Sequence, residues 1–146
     1  MIIVDSTAFH ARELAKNLRP EDELEAINQG LTPTKALFNS FRRAFYRKTA
    51  LIDGKVAAMW GVAGAPMGIH GQPYFVTSPL AETILVSKFV RLYKQEIQEM
   101  LKLFPVLEGI VDHEYYSAIR LLKLAGASVS KPFEINRHLF RSYKFV

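Results

Sequence analysis

Asp112, His113 and Glu114 stand side by side, an imidazole between two carboxylates, and Glu108 lies four positions before them. A carboxylate or histidine beside a reacting nitrogen can take its proton, so these are the chain's best acid–base candidates. Glu108 and Asp112 would flank a strand as bases. Tyr115 and Tyr116, which follow directly, offer phenol donors. The plainer readings are that acids on a strand face solvent and that a tyrosine pair at a helix start packs its rings and wets its hydroxyls. His10, His70, His113 and His138 show no short ligand spacing, so no metal centre is expected. Cysteine is absent, which excludes disulfides, thiolate catalysis and Cys-based zinc sites. Ser6, Ser40 and Ser78 lack the glycines of a nucleophile elbow.

Two charged groupings suggest contacts. Arg42, Arg43, Arg47 and Lys48 are interleaved with Phe41, Phe45 and Tyr46, a pattern that can hold phosphate; as the end of an amphipathic helix it would instead bury its rings and solvate its cations. Nucleic acid is not the expected partner, because no recognised nucleic-acid module surrounds the patch. Arg19, Asp22 and Glu25 share a helix face at i, i+3 and i+6 and suit a local ion-pair network or a contact between subunits.

The elements that must position these residues follow from pattern. The 146 residues are 49% hydrophobic and 23% charged, a balance that favours a packed globule over disorder. One domain over residues 1–146 is expected. No apolar run is long enough to span a membrane, and no signal pattern opens the chain; a soluble intracellular protein is the default. Net charge is +5, with six acids against four bases in residues 1–40 and fifteen bases against eight acids thereafter. Residues 2–5 read as a strand and 9–17 as a helix. Pro20 starts a second helix that Gly30 stops, and Thr32-Pro33-Thr34 opens a third that runs to about Phe45. Lys48–Ile52 and Val56–Val62 form a hairpin on Asp53-Gly54. Gly64–Gly71 is a loop, open to serving as a mobile lip, and Pro73–Thr77 a short strand. Residues 84–104 carry the clearest helical period, with Val86, Phe89, Val90, Tyr93, Ile97, Met100, Leu101 and Phe104 on one buried face. Val106–Val111 is a strand, Tyr116–Ala125 a helix stopped by Gly126, and Ile135–Phe145 one strand or a bent pair.

That order, with the segment Ser117-Ala118-Ile119-Arg120-Leu121-Leu122-Lys123-Leu124-Ala125-Gly126-Ala127, resembles the GCN5-related N-acetyltransferases (GNAT). The resemblance implies an α/β fold with a central mixed, mostly antiparallel sheet of about six or seven strands and helices on both faces. Within that superfamily the chain resembles the internal virion protein A family of autographivirus-type tailed phages. The matching segments are Leu18-Arg19-Pro20-Glu21-Asp22 with Glu25, Trp60-Gly61-Val62, Phe75-Val76-Thr77-Ser78 and Ile119–Gly126.

In GNAT enzymes the coenzyme A pyrophosphate rests on backbone N–H groups of a glycine-rich turn after the fourth strand. The resemblance places acetyl-coenzyme A against Phe75, Val76, Thr77, Ala81, Glu82 and Thr83. The turn here, Ser78–Ile84, holds no glycine, loses a donor at Pro79 and sets the negative Glu82 where an anion would lie. The family's tyrosine acid matches Leu122, which has no proton to give, and its asparagine falls near Tyr115. The resemblance therefore implies an eroded site: a non-catalytic phage protein, a pseudoenzyme acting in virion assembly or as an internal virion component. No cofactor is then expected. Its partners would be phage structural or assembly proteins or further copies of itself, met through Arg19, Asp22, Glu25, Arg42, Arg43, Arg47 and Lys48. It would sit in the host cytoplasm during assembly and in the virion interior. The alternative is an acetyl-coenzyme A-dependent N-acyltransferase with a degenerate pyrophosphate loop, its base among Glu108, Asp112 or His113.

Overall fold

The computed structural model describes residues 1–146, and contacts gather them into two compact units: Met1–Ala63 with Pro73–Ile84, and Gly64–Gln72 with Leu85–Val146. Hydrogen-bonded strands follow the order β1-β2-β3-β4-β5-β8-β6, with β7 added onto β8. This is the expected mixed, mostly antiparallel α/β sheet, with eight strands rather than six or seven.

The first unit opens with β1 (Ile2–Asp5), α1 (Ala8–Lys16), α2 (Pro20–Asn28) and α3 (Pro33–Arg43). Each helix starts where the sequence supplies a signal. Thr7 accepts from the His10 N–H while its own N–H donates to His10 Nδ1, closing both ends of the α1 cap. Pro20 and Pro33 take the first-turn positions of α2 and α3, and Thr32 Oγ1 accepts from the Lys35 N–H. Ala11 and Leu14 of α1 and Leu37 and Phe41 of α3 then close on Val56 and Met59 of β3 (Lys55–Ala63). β3 is buried continuously from Val56 to Val62, so both its faces are covered, as in a central strand. It pairs antiparallel with β2 (Ala44–Ile52) around Asp53 and Gly54, both at positive φ.

Two expectations shift here. The third helix ends at Arg43 and not near Phe45, because β2 begins at Ala44; Phe45 lies exposed on that strand. The Gly64–Gly71 loop is also shorter, since β4 spans His70–Thr77 and takes up His70 and Gly71. The closing residues of β4 lead into a 3-10 turn, Pro79–Thr83, still in the first unit.

The second unit holds the first residues of β4, α4 (Val86–Leu103), β5 (Val106–Asp112), α5 (Tyr116–Leu124), β6 (Ser128–Val129), β7 (Phe133–Ile135) and β8 (His138–Phe145). Leu92, Tyr93, Ile97 and Met100 form the buried face of α4. Val86 departs from the expected face: it is 79% exposed, because the helix starts only there. Pro105 stops α4, and Gly126 at positive φ follows α5. The tail resolves as a bent pair: Asn136 and Arg137, both at positive φ, turn β7 back onto β8, with Ile135 opposite His138. β8 pairs antiparallel with β5 along six positions, from Leu107–Phe145 to Asp112–Phe140. No helix is long and apolar enough to cross a membrane.

Candidate functional site

β4 and β5 run parallel, in register at His70–Val106 and Gly71–Leu107. At this contact His70 Nδ1 lies 2.9 Å from Glu108 Oε1, both side chains about half exposed. A carboxylate on one ring nitrogen fixes the tautomer and leaves the other nitrogen as the proton acceptor. Glu108 is legible as a candidate from the sequence; its partner is not, because His70 lies 38 positions away in a glycine-rich stretch whose local pattern reads as a loop.

Asp112, by contrast, is buried and occupied. Its Oδ1 accepts from the Glu114 N–H at 2.9 Å and lies 2.8 Å from His138 Nε2. His113 turns elsewhere and accepts from Arg141 Nε at 3.0 Å through Nδ1. The three neighbours thus point in different directions, as a strand end requires. Tyr115 is the half-buried N-cap of α5, its N–H donating to the Asp112 carbonyl, and the Tyr116 ring is exposed. Leu122 lies in the core. On α4, burial pushes the Tyr93 phenol far above the ordinary tyrosine value, so it stays protonated and serves as packing.

The positions matched to acetyl-coenzyme A are mostly engaged within the first unit. Phe75 stacks on Trp60 with ring centres 5.2 Å apart. Val76 packs on the α1–α3–β3 core. The Thr77 N–H and hydroxyl both donate to Asp22 Oδ2, at 3.1 and 3.2 Å. Ala81 is buried, Glu82 lies 3.8 Å from Arg19 Nε, and Thr83 Oγ1 donates to the Leu80 carbonyl.

The turn itself spends its donors internally. The Ser78 hydroxyl donates to the Val56 carbonyl and accepts from the Leu80 N–H. The N–H groups of Ser78, Ala81 and Ile84 go to the carbonyls of Ala57, Ser78 and Ala81. With proline at position 79, a glycine-type cradle does not form in this turn. Donors reappear just beyond it, in the second unit: α4 has Leu85 as N-cap with no side-chain cap, so its first-turn N–H groups at Val86, Ser87 and Lys88 stand at the positive end of an 18-residue helix.

The charged groupings are partly committed as well. Arg19 Nε lies 3.5 Å from Glu21, and Glu25 sits on α2. Arg47 lies 4.3 Å over the Phe41 ring and donates to the Phe41 carbonyl; Arg42 lies over Phe38. Lys48 Nζ donates to Asp5 Oδ1 at 2.6 Å, and this hydrogen bond, then the Lys48 charge, holds the Asp5 carboxyl below the usual range. Arg43 is exposed.

Set against known proteins, the chain matches no family model and no curated protein sequence. Its fold, however, is that of the GNAT acetyltransferases. It is similar to a ribosomal-protein-alanine N-acetyltransferase from Brucella melitensis, 16% identical, with a TM-score of 0.70 over 100% of this chain and 99% of that one. It is also similar to a GNAT-superfamily phosphinothricin acetyltransferase from Sinorhizobium meliloti solved with acetyl-coenzyme A: 15% identity, TM-score 0.72, coverage 99% and 86%. A GNAT-family acetyltransferase from Bacillus anthracis is 8% identical at TM-score 0.67, covering 97% and 90%. At such identities the likeness fixes the fold and leaves the activity to the residues.

Proposed function

We propose that the chain is an N-acyltransferase that takes its acyl group from acetyl-coenzyme A, binds the phosphates at the start of α4 and uses His70 with Glu108 as base. The observation that carries this reading is the His70–Glu108 pair, 2.9 Å apart at the parallel β4–β5 contact of a fold otherwise seen in acetyltransferases. The cofactor fits the residues in part. The Ser78–Ile84 turn is unsuited to phosphate, whereas the uncapped first turn of α4, with Lys88 in it, presents N–H groups and positive charge. Both features belong to the second unit.

Acetyl-coenzyme A, when bound, would supply the activated acyl group. The chain's own part is then to orient and deprotonate. Glu108 holds His70 with Nδ1–H toward its carboxylate, which leaves Nε2 to accept the proton of an incoming ammonium and so free its lone pair. With Leu122 in the core, the thiol side has no phenol at the family's position; coenzyme A thiol is acidic enough to leave as thiolate. Incubation with acetyl-coenzyme A and a panel of primary amines, read as thiol release, tests this. Turnover lost in His70→Gln supports it, and absence of amine-dependent release across the panel contradicts it.

A second reading draws on the internally bonded Ser78–Ile84 turn and the segments resembling phage internal virion protein A. It is a non-catalytic phage protein acting in assembly or in the virion interior, with Arg19, Asp22, Glu25, Arg42, Arg43, Arg47 and Lys48 toward phage proteins or other copies of itself. Failure to bind acetyl-coenzyme A at millimolar concentration would favour it.

A further inference from the structure

The His138 imidazole and the Asp112 and Glu114 carboxylates bring one nitrogen and two oxygen donors within 4.8 Å of one another. They come from three places in the second unit: the last residue of β5, the turn before α5 and the first residue of β8. Asp112 is buried, His138 half-buried and Glu114 exposed. Two features fix the grouping. The Asn136–Arg137 turn sets His138 at the head of β8, and the Glu114 N–H bonds back to Asp112 Oδ1.

The plainer alternative is an Asp–His pair with a surface glutamate nearby. That accounts for Asp112 and His138 but not for Glu114, whose carboxylate reaches the pair without hydrogen bond or ion pair of its own. The neighbouring cation does not answer it: Arg141 gives Nε to His113 and a terminal nitrogen to the Ser130 carbonyl, at 3.0 Å each. Two carboxylates therefore converge on a single imidazole, a donor set that a divalent ion would hold together. A mixed imidazole–carboxylate set suits zinc and its first-row neighbours, whereas magnesium favours oxygen alone. Metal–ligand bonds of about 2.0–2.2 Å set two ligand atoms about 3–4 Å apart. Reaching that arrangement means slightly parting the Asp112–His138 contact and swinging in the exposed Glu114.

We propose that Asp112, Glu114 and His138 form a divalent transition-metal site, best matched to zinc, with water completing the coordination. Binding would tie the β5–α5 turn to the head of β8. This assignment stands apart from the acyltransferase reading, whose base pair is His70 and Glu108. The test is calorimetric titration of the tag-free, chelator-stripped full chain with zinc chloride. One saturable site with micromolar affinity is expected, weakened at least tenfold by Glu114→Gln and by His138→Gln and unaltered by His70→Gln. Glu114→Gln changes only an exposed side chain, so it decides the matter even if His138→Gln disturbs the fold. No saturable heat, or a site indifferent to Glu114→Gln, would overturn the proposal.

Discussion

His70 Nδ1 and Glu108 Oε1 meet at 2.9 Å, joining the first residue of β4 to the third residue of β5. If this pair is the proton acceptor, Glu108→Gln and His70→Gln each lower the acyl-transfer rate by roughly 10²–10⁴-fold. Because both side chains are about half exposed, thermal unfolding should move little. A large fall in melting temperature with unchanged turnover would make the pair structural.

Lys88 lies in the first turn of α4, where phosphate would meet the uncapped N–H groups. Lys88→Glu reverses its charge there and should weaken acetyl-coenzyme A binding about tenfold, about 1.4 kcal/mol. Added salt should narrow the difference between the two proteins. Equal affinities at low salt would remove the phosphates from this helix end.

Thr7 and His10 make stability at the N-terminus depend on pH. Burial holds the His10 pKa below the ordinary histidine value, with Glu13 opposing, and Nδ1 must be unprotonated to accept from the Thr7 N–H. A lowered folded-state pKa means the contribution is complete above the unfolded pKa and lost as pH falls through the folded one. Denaturant titrations at pH 7.5 and pH 5 should therefore show a loss of up to about 1 kcal/mol, the usual worth of a helix cap. His10→Gln should show a smaller pH difference, and one as large as wild type would contradict the assignment.

Gly61 in β3 permits a close approach: a Cβ there would overlap the Tyr46 carbonyl oxygen and lie 2.8 Å from the Tyr74 ring. Gly61→Ala must push a strand or the half-buried Tyr74 ring aside and should cost about 1–3 kcal/mol. A denaturant midpoint within error of wild type would show that the strands yield freely.

Much of this was readable from residue types. Pro20, Pro33, Asp53-Gly54, Pro105 and Gly126 punctuate the chain, and the 3-and-4 spacing from Phe89 to Phe104 marks the buried side of α4. What local pattern misses is whatever is settled by pairing across the sheet. Phe45 continues the helical spacing of α3 but falls in β2, at an irregularity between Ala44 and Tyr46, which pair with Ala63 and Val62 of β3. His70 and Gly71 follow a glycine-rich stretch yet pair with Val106 and Leu107. For the same reason His70 and His138 carry no local signal: each gains a carboxylate partner only through contacts 38 and 26 residues apart. The spacing of histidines along the chain gives no hint of the Asp112–Glu114–His138 grouping.

Calorimetric titration of the full chain with acetyl-coenzyme A, and in parallel with coenzyme A, tests the acyltransferase assignment most directly. Micromolar binding of both is predicted, weakened for both by Lys88→Glu. No heat at millimolar ligand would contradict it and leave a GNAT fold without its cofactor.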